Sequence, residues 1–147
     1  MRMKTLGYYN GTYDELENMM VPFDDRVCFF GDGVYDAGPA RNYHLFAIDE
    51  HIDRFFNSAK LMDIEIPCSK EELKELLASL VLKMDTGNNF VYWACTRGTG
   101  IRNHVYKKGP GNLWVMIKPE TLDTCQKPIK CVTQEDKRFF YCNCKTL

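Results

Sequence analysis

No stretch of this sequence approaches the ~20 consecutive apolar residues that a membrane-spanning helix requires, which excludes a transmembrane protein. Nor is one sign of charge in excess: 19 Lys and Arg stand against 20 Asp and Glu, a formal net charge of −1. A sequence-independent nucleic-acid binder would carry a marked basic surplus, so no nucleic-acid partner is expected. Met1-Arg2-Met3-Lys4 is basic, but no apolar segment follows it, and no cleaved signal peptide is expected. The phosphate-cradling pattern G-x-x-x-x-G-K-[ST] is absent. None of the seven cysteines stands in the C-x2-C spacing of a structural zinc site, so no metal is expected either. An odd number of cysteines, scattered through apolar stretches, reads as reduced and mostly buried thiols of a cytoplasmic protein.

What is present is a soluble globular composition, 45% hydrophobic and 27% charged over 147 residues. That is the length of one ordinary domain, able to bury roughly 70% of the unfolded chain's surface. Leu6 to Tyr9 reads as a strand, and Asn10-Gly11 as a hairpin turn, since both residues tolerate positive φ. Arg26 to Phe30 is apolar and β-rich and runs into Gly31-Asp32-Gly33, with a further turn expected at Gly38-Pro39 and a strand over Tyr43 to Ile48. Ile52, Phe55, Phe56, Ala59 and Met62 lie on one face of a helix that should start at Asp49 as N-cap. After Pro67, Ser69 and Glu72 form a capping box, followed by an apolar stripe from Leu73 to Met84. Strands are expected at Phe90–Thr96, Leu113–Ile117, Ile129–Val132 and Phe139–Cys144.

This order predicts an α+β fold, a two-layer sandwich of a mainly antiparallel sheet with two helices. The domain boundaries read from it are residues 1–117 for an N-terminal α+β domain, 118–126 for a linker, and 127–147 for the first strands of a truncated C-terminal domain. A strand opening a new unit needs partners, and the sequence ends three residues after Cys144, so a second domain is expected to be missing.

Several residues could carry chemistry. Gly31-Asp32-Gly33 lacks the third glycine of a dinucleotide fingerprint, because position 36 is Asp36, and it leads into Val34-Tyr35 rather than a helix. It reads as a tight turn that places Tyr35 at a cleft. Arg102 and His104 alternate along the segment Arg97–His104, so both can point the same way. A guanidinium beside an imidazole suits a carboxylate or a phosphate, although a solvated basic loop with Lys107 and Lys108 has the same composition. Arg54 lies in the first turn of a helix, where a cation is disfavoured by the dipole. Either Glu50 and Asp53 neutralise it or it helps the helix end hold an anion. His51 reads as a packed or capping histidine. Lys145 follows an apolar strand, and a desolvated lysine is a competent amine nucleophile for Schiff-base chemistry.

Taken in order, Phe30-Gly31-Asp32-Gly33-Val34-Tyr35, Glu50-His51-Ile52-Asp53-Arg54, Thr96-Arg97-Gly98-Thr99, Arg102-x-His104 and Cys144-Lys145-Thr146-Leu147 resemble the fold-type IV pyridoxal-phosphate enzymes, the class IV aminotransferases. Within that family the likeness is to enzymes acting on D-amino acids. The resemblance spans nearly all of this sequence but about the first half of the family's length. It implies that Lys145 forms the imine with pyridoxal 5'-phosphate and moves the proton, and that Arg54 binds the cofactor phosphate. It implies that Tyr35, Arg102 and His104 hold the substrate α-carboxylate, the last two reaching the neighbouring subunit's site in a homodimer. The implied activity is ping-pong transfer of an amino group between D-amino acids and 2-oxo acids, through a pyridoxamine form. Arg102-x-His104 favours that subgroup over branched-chain aminotransferases; an aminodeoxychorismate lyase of the same fold, or a truncated non-catalytic homologue, are the alternatives. The family's acidic partner for the pyridine nitrogen lies in the half beyond Leu147, so the 147-residue chain alone is expected to be an incompetent transaminase.

Overall fold

The Asn10-Gly11 pair does turn the chain: both residues have positive φ, 43° and 98°, and they join β1 (Leu6–Tyr9) to β2 (Thr12–Asp14). This is seen in a computed structural model that describes residues 2–121, 128–135 and 144–147. Among the described residues, a 3-10 turn (Leu16–Asn18) and three α-helices follow in chain order, α1 (Arg26–Phe30), α2 (Ile48–Leu61) and α3 (Lys70–Val81). The remaining strands are β3 (Gly33–Arg41), β4 (His44–Leu45), β5 (Asn89–Thr96) and β6 (Asn112–Pro119). They form one six-stranded antiparallel sheet in the order β2-β1-β6-β5-β3-β4. The α+β class expected from the sequence is the one observed, with α2 and α3 on one face of the sheet.

The strand alternation separates the two faces. Val34, Asp36, Gly38 and Ala40 of β3 are buried towards the helices, while Tyr35 and Ala37 between them are half-buried on the opposite, open face. On the helix side Ile52, Phe55 and Ala59 of α2, and Leu73, Leu77 and Leu80 of α3, pack with Val91, Trp93, Val115 and Ile117 into one core. The capping box of α3 is present, with Ser69 and Glu72 each accepting from the other's backbone N–H at 3.1 and 2.8 Å.

Four local expectations are corrected. Arg26 to Phe30 is a short helix, not a strand: Asp25 accepts from Val27 N at 2.9 Å as N-cap, and Gly31 closes the other end in the left-handed region. Short apolar runs do not distinguish strand from helix by periodicity, and here the capping residues at either end decide. Gly38-Pro39 is no turn but the middle of β3. Its glycine admits the imidazole of His51, whose Nε2 would stand 3.0 Å from an added Cβ. The turn falls instead at Asn42 and Tyr43, both at positive φ, so the strand expected over Tyr43 to Ile48 shrinks to His44–Leu45. Ala47 precedes α2 in place of Asp49, which lies in the first helical turn with Glu50, where acidic side chains favour the dipole.

At the other end, β6 runs to Pro119, beyond the strand end expected at Ile117. Ile129 and Val132 are exposed and residues 128–135 hold no regular element, so the strand expected there is not formed; none of these residues pairs with a described strand, and an unpaired strand is not stable. The strand expected at Phe139–Cys144 lies outside the described residues but for Cys144. Residues 144–147 run along the free edge of β3: Thr146 bridges Val34, and Leu147 N donates to Gly33 O at 3.0 Å. Of the described cysteines only Cys95 is buried, Cys28 and Cys131 being exposed, contrary to the expectation of mostly buried thiols.

Candidate functional site

Lys145 is brought to the sheet by its backbone. Its N–H donates to Ser58 Oγ at 3.2 Å, and its carbonyl accepts from Tyr35 N at 3.3 Å, so the lysine is fastened to α2 and to the edge of β3 at once. The half-buried side chain turns over the open face, with Nζ 4.3 Å from the centroid of the Tyr35 ring. Tyr35 in turn stacks on Tyr92 of β5, centroids 5.2 Å apart and planes inclined by 25°. Burial, reinforced by the neighbouring Tyr35, pushes the Tyr92 phenol up to about 12. The stacked pair stands as an aromatic wall beside an amine.

Arg54 projects from α2 one turn before Ser58, on the same side of the helix. Its Nε and Nη2 donate to the two oxygens of Asp36 at 2.7 and 2.6 Å. Asp36 is fully buried, and His51 Nδ1 lies 2.9 Å from the same carboxylate. Burial pushes the Asp36 carboxyl up, but the hydrogen bonds from Arg54 and His51 and from the Ala37 N–H outweigh it and hold it below the usual carboxylate range. The same pairing raises the Arg54 guanidinium further. Neither Glu50 nor Asp53 neutralises Arg54; Asp53 pairs with Lys70 at 2.6 Å. The Arg54 side chain remains 49% exposed, and Asp36 and His51 engage Nε and Nη2 only, so its Nη1 edge faces outward.

Arg102 and His104 lie on the loop between β5 and β6, both exposed. The loop is bent rather than extended, yet the two side chains converge on one ring. Arg102 Cζ stands 5.2 Å from the Phe30 centroid and the His104 ring 5.6 Å from it. A cleft of ≈ 530 Å³ follows the loop, lined among others by Arg26, Arg97, Arg102 and Lys107. Arg26 and Arg97 are spoken for by Asp32, at 2.8 and 2.9 Å, which leaves Arg102 and Lys107 as the lining cations available to a carboxylate, Arg102 alone offering a planar fork.

Thus the five residues expected at a site fall into three groups. Tyr35 and Lys145 touch, Arg54 sits a helical turn from the serine that holds Lys145, and Arg102 and His104 gather on Phe30. Asp36 and Ser58 were not foreseen. A carboxylate on the inward face of an alternating strand needs a partner, which was the available signal for Asp36. A single serine in an apolar helix face offered none for Ser58.

The primary amine beside two stacked phenol rings and the outward edge of a fixed guanidinium are a donor set that suits an aldehyde carrying a phosphate. The family described as amino-transferase class IV matches residues 33–147. A D-alanine aminotransferase of Staphylococcus epidermidis is 31% identical over 144 residues, covering 95% of this chain and 51% of the relative. One from Listeria monocytogenes is 37% identical over 139 residues, covering 90% and 48%. The chain therefore spans about half the length of the curated relatives it matches. Among solved structures, the branched-chain amino acid aminotransferase of Escherichia coli superposes with a TM-score of 0.71 at 18% identity, over 80% of this chain and 41% of that one. The branched-chain aminotransferase of the archaeon Thermoproteus uzoniensis gives 0.67 at 18%, over 78% and 40%, so both likenesses concern the fold.

Proposed function

Because this chain belongs to the class IV aminotransferases, we propose that it forms the N-terminal part of a pyridoxal-phosphate-dependent transaminase that exchanges amino groups between D-amino acids and 2-oxo acids. The observation that carries this reading is the fastening of Lys145 between Ser58 and Tyr35, one helical turn from a guanidinium held by Asp36. Pyridoxal 5'-phosphate, when bound, supplies the electron-withdrawing ring that stabilises negative charge at the substrate Cα. Arg54 would hold the phosphate through its outward edge, and the bidentate grip of Asp36 fixes the plane of its guanidinium. Lys145 Nζ takes the proton from the substrate Cα and returns it, standing over Tyr35 where the phenol rings limit the access of water. Tyr35, Arg102 and His104 hold the substrate carboxylate, with Arg102 and His104 serving the site of a second copy in a homodimer. The free thiols among the described residues are in keeping with a cytoplasmic protein.

Borohydride reduction after incubation with pyridoxal phosphate tests this directly. Stoichiometric label on Lys145, read by peptide mass and abolished by Lys145→Ala, is the expected result. Label scattered over surface lysines and unchanged in the variant would overturn the assignment.

A further inference from the structure

The acidic residue of the Gly31-Asp32-Gly33 turn has no part in the chemistry above, yet it joins two arginines from different parts of the chain. Asp32 is 9% exposed and accepts from Arg26 Nε at 2.8 Å and from Arg97 Nε at 3.0 and 2.9 Å. Burial pushes its carboxyl up, but the bonds from Arg97 and Arg26 outweigh this and hold it ionised below the usual range.

Each arginine reaches onward to the loop that bears Arg102 and His104. Arg26 Nη1 donates at 2.6 Å to the carbonyl of Asn103, the residue between the two, while its guanidinium lies 4.7 Å from the centroid of Phe30, the ring on which both gather. Arg97 donates to the carbonyls of Met62 and Asp63 at the end of α2, at 2.8 and 2.7 Å, and stacks at 3.8 Å on Tyr106. Tyr106 and Lys108 close the far end by donating to the Asp63 carboxylate, each at 2.9 Å. A loop with its backbone in solvent would otherwise be free to reorient its side chains. One buried negative charge aims two forks that grip it at two points.

We propose that Asp32 is a positioning residue, which fixes Arg102 and His104 in the orientation that receives a carboxylate. This deepens the proposed function and rests on the assignment of that pair. The expectation is a loop that loosens without loss of the sheet when the charge is removed. Asp32→Asn keeps the shape and removes the charge. Arg26→Met removes the grip on Asn103 together with the Arg26 bond to Asp32 and its contact with Phe30, but leaves Asp32 charged and paired with Arg97, which covers the case in which the first variant folds poorly.

In both variants trypsin should cut after Arg102, Lys107 and Lys108 roughly tenfold faster, the scale of losing a charge-assisted hydrogen bond. Cleavage after Lys60 and Lys74, in α2 and α3, should not change. In the holoenzyme, KM for the amino-acid donor should rise by a similar factor while kcat changes little. Loop cleavage equal to wild type in both variants would overturn the proposal, as would faster cleavage with an unchanged KM. No transaminase activity in a wild-type protein that also carries the second half of its relatives' length would remove the proposed function instead, leaving the cleavage ratio to decide whether Asp32 holds the loop.

Discussion

Replacing Asp36 with asparagine isolates the charge at the centre of the Arg54 site. The carboxylate is fully buried and receives hydrogen bonds at 2.7 and 2.6 Å from Arg54 and one at 2.9 Å from His51. Hydrogen bonds to charged groups contribute ~1.5–3 kcal/mol each. The amide oxygen of asparagine still accepts one bond, and Arg54, half-exposed, recovers water for part of what it loses. The net cost at neutral pH is then about 3 kcal/mol, the low end of breaking a buried pair.

The pH dependence follows from the direction of the shift. Burial pushes Asp36 up, the bonds from Arg54 and His51 pull it further down, and the folded value lies below the model-peptide value of ~3.9. The contribution is therefore complete above about pH 5 and is lost as pH falls through the folded value. Asparagine has no such titration, so the gap between wild type and variant should close in acid. Urea unfolding at pH 7, 5 and 3 measures it. A difference under about 1 kcal/mol at pH 7, or one that stays constant down to pH 3, would refute a charge-based role for Asp36.

Gly111→Ala should lower Tm by roughly 4–10 °C, because its Cβ would enter the Thr96 carbonyl oxygen and the Cys95 sulfur, and overpacking of that kind costs ~1–3 kcal/mol. A thermal melt unchanged from wild type would contradict this. Cys95 should resist iodoacetamide in the native protein, since burial, with Cys68 and Asp25 adding to it, pushes its thiol up to about 12. Exposed Cys28 should be alkylated readily, and comparable labelling of Cys95 without denaturant, read by peptide mass, would count against that burial.

The sequence displayed the helices and central strands because their signals are local. The α3 capping box and the β1–β2 Asn-Gly turn need no knowledge of the rest of the chain. Arg26 to Phe30 misled for the same reason, since its caps, Asp25 and Gly31, were local too but its apolar content suggested a strand. Lys145, Arg54, Tyr35, Arg102 and His104 stand out as site candidates through a resemblance of ordered motifs, not through chemistry each could show alone. What could not be read were the partners. Asp36 lies 18 residues from Arg54, and Ser58 lies 87 from Lys145, so only the pairing of β3 with α2 and of residues 144–147 with β3 creates those contacts.

That pairing explains why two parts of one site sit on consecutive residues. In β3, Tyr35 faces the open side and meets Lys145, whereas Asp36 faces the helices and holds Arg54. A shift of one residue in the β3–β5 register, now Tyr35↔Ala94 and Asp36↔Trp93, would exchange the two faces. It would bury a tyrosine against α2 and strand a carboxylate on the open side, leaving Arg54 without its anchor. Such a slip costs a buried ion pair and a core strand together, so the register that builds the hydrophobic core also keeps the Asp36–Arg54 pair and the Tyr35–Lys145 contact on opposite faces of β3. Lys145 fits this scheme because it joins at the strand edge, where one main-chain bond to Tyr35 and one to Ser58 reach both layers at once.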